Sequence, residues 1–208
     1  MLEPAQELPR VFQMNLYRFY TRVVAPTMTG LGEPQRWELG DLRSLDAGLD
    51  RAAAQVDTYT RNEAAKAFVL VLSAMFERQL RQWALHLFQH PRKPDVGRQN
   101  LAALLDDSIR EAGLDGSTGA VREILMEAHE VANVVRHGDG NASKTLIKSA
   151  PRFWSQDPRD YVDISPGPSP DSALLVIPAG YLENYTRAGL RFWGRADRVD
   201  GAVEDPPF

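Results

Sequence analysis

The sequence predicts a mainly α fold: a helical bundle with a small C-terminal β-hairpin and a closing helix. Three observations predict it. Apolar residues recur every three or four positions through most of the chain before Gly140. Prolines then crowd the stretch from Pro151 to Pro170, and two short apolar runs lie in and just after it. An aromatic-rich helical pattern follows Gly180. The bundle is expected over residues 1–150, and a loop-rich extension over 151–208 is expected to pack on it as one structural unit.

The first helix is predicted from about Leu8 to Val24, where Phe12, Leu16, Phe19, Tyr20 and Val23 stand at helical spacing. Pro26 and the run Gly30-Leu31-Gly32-Glu33-Pro34 break that pattern. A second helix is predicted from Leu42 toward Tyr59, with Leu45, Leu49, Ala52, Ala53 and Val56 facing inward. The strongest helical signal begins at Asn62 and runs to about Gln89. Its band of Phe68, Val71, Leu72, Met75, Phe76, Leu80, Trp83 and Leu87 is wide enough to touch several neighbours. Pro91 and Pro94 end it. Asn100 to Ala112 is the next helix, with Leu101, Leu104, Leu105 and Ile109 on one side and Gly113 and Gly116 to close it.

Ser117 or Thr118 can cap the helix that follows. Its buried stripe is Val121, Ile124, Leu125, Ala128, Val131 and Val135, while His129, Asn133, Arg136 and His137 fall on a different face. Beyond Gly140, Tyr161-Val162-Asp163-Ile164 and Ala173-Leu174-Leu175-Val176-Ile177 read as the two arms of the hairpin. Tyr181, Leu182, Tyr185, Leu190, Phe192 and Trp193 mark the closing helix.

Composition narrows the function. With 43% hydrophobic and 25% charged residues, the chain is an ordinary globular protein. Its net charge of −4 advertises no global basic field, although one face can still be basic. The absence of cysteine excludes disulfides, thiolate nucleophiles and Cys-ligated zinc. Residues Met1 to Glu7 show no basic region followed by an apolar run, so no signal peptide is expected. The longest apolar run, Ala67 to Leu72, is too short to span a bilayer. No membrane partner is expected, and the expected location is the cytoplasm.

One segment carries chemistry: Glu130-Val131-Ala132-Asn133-Val134-Val135-Arg136-His137-Gly138-Asp139-Gly140. Asn133 and His137 are four apart, so they share a helix face. A Gly-Asp-Gly turn then ends the helix. An amide and an imidazole therefore project together beside mobile backbone.

The segment resembles the signature of the HEPN superfamily, which includes many bacterial ribonuclease toxins and defence proteins. The resemblance covers roughly Asn62 to Gly140, and its most specific part is Asn133, His137, Gly138, Asp139 and Gly140. It implies a metal-independent endoribonuclease, the toxin of a toxin–antitoxin or phage-defence system, with RNA as substrate and no cofactor. It also implies a homodimer whose motif helices meet, and an antitoxin or defence-system protein as partner. The ribose 2′-hydroxyl would attack the adjacent phosphate. By resemblance His137 moves protons and Asn133 orients it; Arg136, Asp139 and Glu77 are candidate substrate contacts. Imidazole suits proton transfer because it titrates near neutral pH. Guanidinium suits phosphate because its planar fork matches two oxygens.

The chain departs from the family pattern at Ala132, where the motif Arg falls. Three readings stand. Ala132 is an engineered replacement, a natural loss that leaves a module binding RNA or protein without cleavage, or a change compensated by Arg136. Loss of one transition-state stabiliser costs about a hundredfold to a thousandfold in rate.

Other candidates have simpler explanations. His86 and His90 have the spacing of helical zinc ligands but no Glu after His86. Glu77 is well placed to pair with Arg81, and Arg78 to be solvated. Arg92, Lys93 and Arg98 read as solvated loop charge. Phe153-Trp154 and Phe192-Trp193 read as core or dimer contacts rather than base-stacking platforms. No Gly-rich phosphate loop or nucleophile elbow is present.

Overall fold

A computed structural model describes residues 3–33, 44–88, 95–114, 119–154 and 170–206. The fold is mainly helical. In order come α1 (Pro4–Phe19), a π-helical turn (Tyr20–Val24), α2 (Ala25–Gly30) and α3 (Leu45–Leu87). Then follow α4 (Leu101–Glu111), α5 (Gly119–His137), α6 (Asn141–Ser149), a 3-10 turn (Pro151–Trp154) and α7 (Tyr181–Ala196). No helix among the described residues is long and apolar enough to cross a membrane. The chain forms two compact units. One comprises Met1–Val23, Val71–His129 and Gly180–Phe208; the other comprises Val24–Leu70 and Glu130–Ala179.

The first unit is built on aromatics from α1, α3 and α7. Phe12 meets Trp193 edge-on with ring centres 5.0 Å apart, Phe76 meets Phe192 at 5.3 Å, and Trp83 meets Trp193 at 5.6 Å. Leu101, Leu104 and Leu105 of α4 and Val121 and Leu125 of α5 complete this core. Phe192 and Trp193 are thus core residues, fully enclosed. Two glycines let α7 come close to its neighbours. A Cβ at Gly189 would sit 2.6 Å from Leu16 Cδ2, and one at Gly194 would sit 2.5 Å from the Val203 carbonyl oxygen. Arg10 joins Asp197 at 2.8 Å and donates to the Val199 and Asp200 carbonyls, tying α1 to the chain beyond α7.

Several predicted boundaries hold locally. Asn100 caps α4 by accepting from the Ala103 N–H at 2.9 Å, and Gly113 takes the left-handed conformation (φ 63°) that closes it. The proposed caps Ser117 and Thr118, and Gly116, lie outside the described residues.

The second unit overturns three expectations. No helix break occurs at Asn62: α3 is continuous from Leu45 to Leu87. Its N-terminal apolar row does not face inward. Leu45, Leu49 and Val56 are 80%, 60% and 55% exposed, Ala52 and Ala53 are exposed too, and Ala54 is the buried residue. Polar anchoring fixes this orientation. Arg61 donates to the Met28 and Gly32 carbonyls and pairs with Glu33, which turns its own side of α3 inward and the leucines outward. Finally, Pro26 does not end the first helical stretch. A π-helical turn precedes it and α2 follows it, so the backbone register shifts where proline lacks an N–H.

No strand of the predicted β-hairpin is seen among the described residues. Its first arm, Tyr161–Ile164, lies outside the described residues. Its second arm, Ala173–Ile177, is a turn leading into irregular chain, whose backbone is held by the Asn62 and Lys66 side chains and by the Phe153 carbonyl instead of a strand. The Asn62 carboxamide donates to the Leu175 carbonyl at 2.9 Å and accepts from the Ile177 N–H at 3.0 Å. The Val176 N–H donates to the Phe153 carbonyl at 2.9 Å. Lys66, buried on α3, reaches the Ala173 carbonyl at 3.4 Å while pairing with Glu63 at 2.8 Å. A single amide thus supplies the donor and acceptor a neighbouring strand would have supplied.

Candidate functional site

The C-terminal two turns of α5 sort their side chains sharply. Val131 and Val134 are fully buried and Ala132 is 2% exposed. Asn133 is half-buried, and Arg136 and His137 are exposed. The side chains of Asn133 and His137 make no hydrogen bond to each other or to another described residue. The motif imidazole therefore opens to solvent and the amide does so in part, whereas Ala132 is buried.

Backbone geometry then ends the helix as the Gly-Asp-Gly turn requires. Gly138 adopts φ 67°, a region that L side chains rarely enter, and its N–H returns to the Val134 carbonyl at 2.9 Å. Gly140 opens α6: its N–H donates to Ser143 Oγ at 3.1 Å, and that hydroxyl donates to the Gly140 carbonyl at 3.0 Å.

Asp139 is taken up by structure. Its carboxylate oxygens accept the backbone N–H of Ser172 at 2.8 Å and of Asp171 at 3.2 Å. Hydrogen bonds from Ser172, backbone first and side chain second, hold the Asp139 carboxyl below its ordinary range; the Asp171 N–H adds to the same effect. The 171–172 turn is thereby fixed beside the end of α5, and a Cβ on Gly138 would lie 3.7 Å from Ser172 Oγ. Trp154, half-buried, secures the same turn by donating from Nε1 to the Asp171 carbonyl at 2.7 Å. Phe153 beside it is fully buried, with the Arg152 guanidinium 5.1 Å from its ring centre.

The remaining candidates fall in the first unit. Glu77 accepts from Arg81 Nη2 at 2.7 Å and from Nε at 3.1 Å. Arg81 also donates to the Val96 and Gln99 carbonyls, so the pair holds the turn before α4. Arg78, His86 and Arg98 are exposed, while His90, Arg92 and Lys93 lie outside the described residues. A cavity in this unit is lined by Leu16, Ser73, Phe76, Ala128, Tyr185 and Thr186.

Spacing did not single out Ser172, which bonds Asp139 at the end of α5, nor Asn62 and Lys66, which hold the chain just after it. Asn62 carried a weak signal as a polar residue opening an apolar helical run; Lys66 and Ser172 carried none. No protein-family model, curated protein or solved structure matches the chain.

Proposed function

We propose that the end of α5 is an RNA-contacting site of HEPN type, and that this chain, acting in the cytoplasm, holds RNA without cutting it. The observation that carries the reading is the contrast within one helix: His137 is exposed and Asn133 half-buried, while Ala132 is 2% exposed. Metal-independent cleavage needs a cation on the phosphorane as well as a proton carrier. Ala132 supplies no cation and faces the packed side. What remains suits binding. The Asn133 amide and the Arg136 guanidinium are hydrogen-bond donors for phosphate oxygens, and His137 joins them when protonated.

A second reading has its own support. His137 is exposed with no hydrogen-bond partner among the described residues, so both ring nitrogens are available to move protons. The neighbouring Arg136 is a permanent positive charge. On this reading the protein is an endoribonuclease, the toxin of a toxin–antitoxin or phage-defence system. The homodimer, and an antitoxin or defence-system protein as partner, belong to both readings.

The test is to incubate end-labelled RNA with the chain in chelator and to follow binding and cleavage separately. Binding without cleavage is expected. Cleavage that disappears in His137→Ala would hand the assignment to the nuclease reading. Neither binding nor cleavage would remove the RNA assignment altogether.

A further inference from the structure

Between Val135 and Trp154 the chain places four of its 24 basic residues (Arg136, Lys144, Lys148 and Arg152) and one of its 28 acidic residues, Asp139. The one carboxylate is already held by the Ser172 and Asp171 backbone. An acidic chain therefore carries a short basic stretch. It is also exposed: Arg136, Asn141, Lys144, Thr145, Lys148, Ser149 and Arg152 are all open to solvent.

Most of the described cations elsewhere are ion-paired, although Arg18, Arg22, Arg51, Arg78 and Arg98 are not. Ion pairs among the described residues engage Arg10 on α1, Arg61 and Arg81 on α3, Arg110 on α4, Arg122 on α5, and Arg187, Arg191 and Arg195 on α7. None of these pairs uses Arg136, Lys144 or Lys148. Lys148 in the last turn of α6 has a local explanation, since a cation there complements the helix dipole. Lys144 does not. Lys144 and Lys148 stand four apart and so share a face one helical turn apart. Asn141 and Thr145 belong to the same exposed side and add neutral donors.

We infer that the exposed face of α6, through Lys144 and Lys148 with Asn141 and Thr145, is a track for the sugar–phosphate backbone of RNA, continuous with the α5 end. It rests on the RNA reading above and adds the surface that grips the strand. A row of cations that make no ion pair among the described residues, with interspersed amide and hydroxyl groups, is what sequence-independent backbone binding uses. Gly138, Asp139 and Gly140 alone separate the helices, so a strand engaged at Arg136 and His137 has α6 as the next surface in the chain.

The experiment is fluorescence anisotropy with a short labelled oligouridylate over a range of salt, using the full chain, Lys144→Gln/Lys148→Gln and Lys144→Arg/Lys148→Arg. The glutamine pair is expected to weaken binding at least several-fold. It should lower the slope of log affinity against log salt by about 1.4, at about 0.7 for each single-strand phosphate that a lysine no longer neutralises. The arginine pair is expected to keep both, which also shows that the substitutions leave the fold intact. If the parent binds and the glutamine pair matches it in affinity and slope, the track is refuted and the α5 site survives. If the parent ignores the oligonucleotide, both fall, and binding to vesicles containing phosphatidylserine would then assign the basic face to a membrane surface.

Discussion

The indole N–H of Trp83 donates to the Ala5 carbonyl oxygen at 2.8 Å, which is the oxygen that Pro9 leaves without its helical donor. In an uninterrupted helix the N–H of residue 9 would have bonded that oxygen, but proline has none. Trp83 is 1% exposed, so its own N–H also needed a partner. Two defects, a proline inside α1 and a polar atom in an aromatic core, thus cancel each other.

This relationship predicts a coupling. Trp83→Phe leaves the Ala5 carbonyl without a partner, at a cost of about 1–3 kcal/mol beyond the lost packing. Pro9→Ala restores an N–H at residue 9, so Trp83→Phe should be less damaging in that background. A double-mutant cycle in urea should give a coupling energy of about 1 kcal/mol. Simple additivity would mean that the two residues do not share the acceptor.

Asn62 predicts a second effect, confined to the unit that carries the motif. Its amide satisfies the Leu175 carbonyl and the Ile177 N–H, two groups in a segment whose side chains are 0% and 7% exposed. Asn62→Leu removes both bonds and should cost about 2–6 kcal/mol, taking about 1–3 for each stranded group. Asn62→Asp should keep the bond from Ile177 but set a carboxylate against the Leu175 carbonyl. That variant should therefore lose stability as pH rises through its pKa. Limited proteolysis would report the change as new cleavage between Pro170 and Ala179; an unchanged digestion pattern would show that the segment is held by other means.

Asp139 sets the pH dependence near the motif. Bonds from Ser172 and Asp171 depress its pKa below the ordinary 3.8, so the folded state binds this proton more weakly than the unfolded chain does. The stabilisation is complete above the unfolded value and fades as pH falls below it toward the depressed folded value. Asp139→Asn should be less stable than the parent at neutral pH, and the gap should close on acidification below about pH 3.8. Urea midpoints measured down to about pH 2.5 would show the convergence; a gap independent of pH would assign the loss to packing.

Much of this is legible without the structure, and the exceptions have physical causes. Periodicity locates the α5 end, the start of α4 near Asn100, the Gly113 stop and the aromatic side of α7, because each depends on neighbours within one or two turns. It misses the outward row of Leu45, Leu49 and Val56, since the same amphipathic pattern is compatible with either orientation until Arg61 finds carbonyls on α2 and the chain after it. It reads Ala173–Ile177 as a strand because the run is apolar and β-prone, and nothing local announces that a distant asparagine will satisfy its backbone. The burial of Ala132 does have a local signal. Ala128, Val131, Ala132 and Val135 recur at intervals of three, one and three, the spacing of one helix face.

Ala132 also gives the prediction that separates the readings of the motif. Ala132→Arg would put a guanidinium at a position 2% exposed, flanked by two fully buried valines. An uncompensated buried charge of this kind costs about 3–5 kcal/mol, and a side chain that snorkels to water still pays about 1–3 kcal/mol for overpacking. The variant should therefore melt well below the parent and gain no ribonuclease activity. A chain whose native arginine had been replaced would behave in the opposite way. Its packing would have been built around the longer side chain, so Ala132→Arg would be neutral or stabilising and would bring chelator-resistant RNA cleavage. Melting temperature and cleavage measured on one preparation decide between them: a natural loss predicts a fall in the first with no change in the second, and an engineered replacement predicts no fall in the first and a gain in the second.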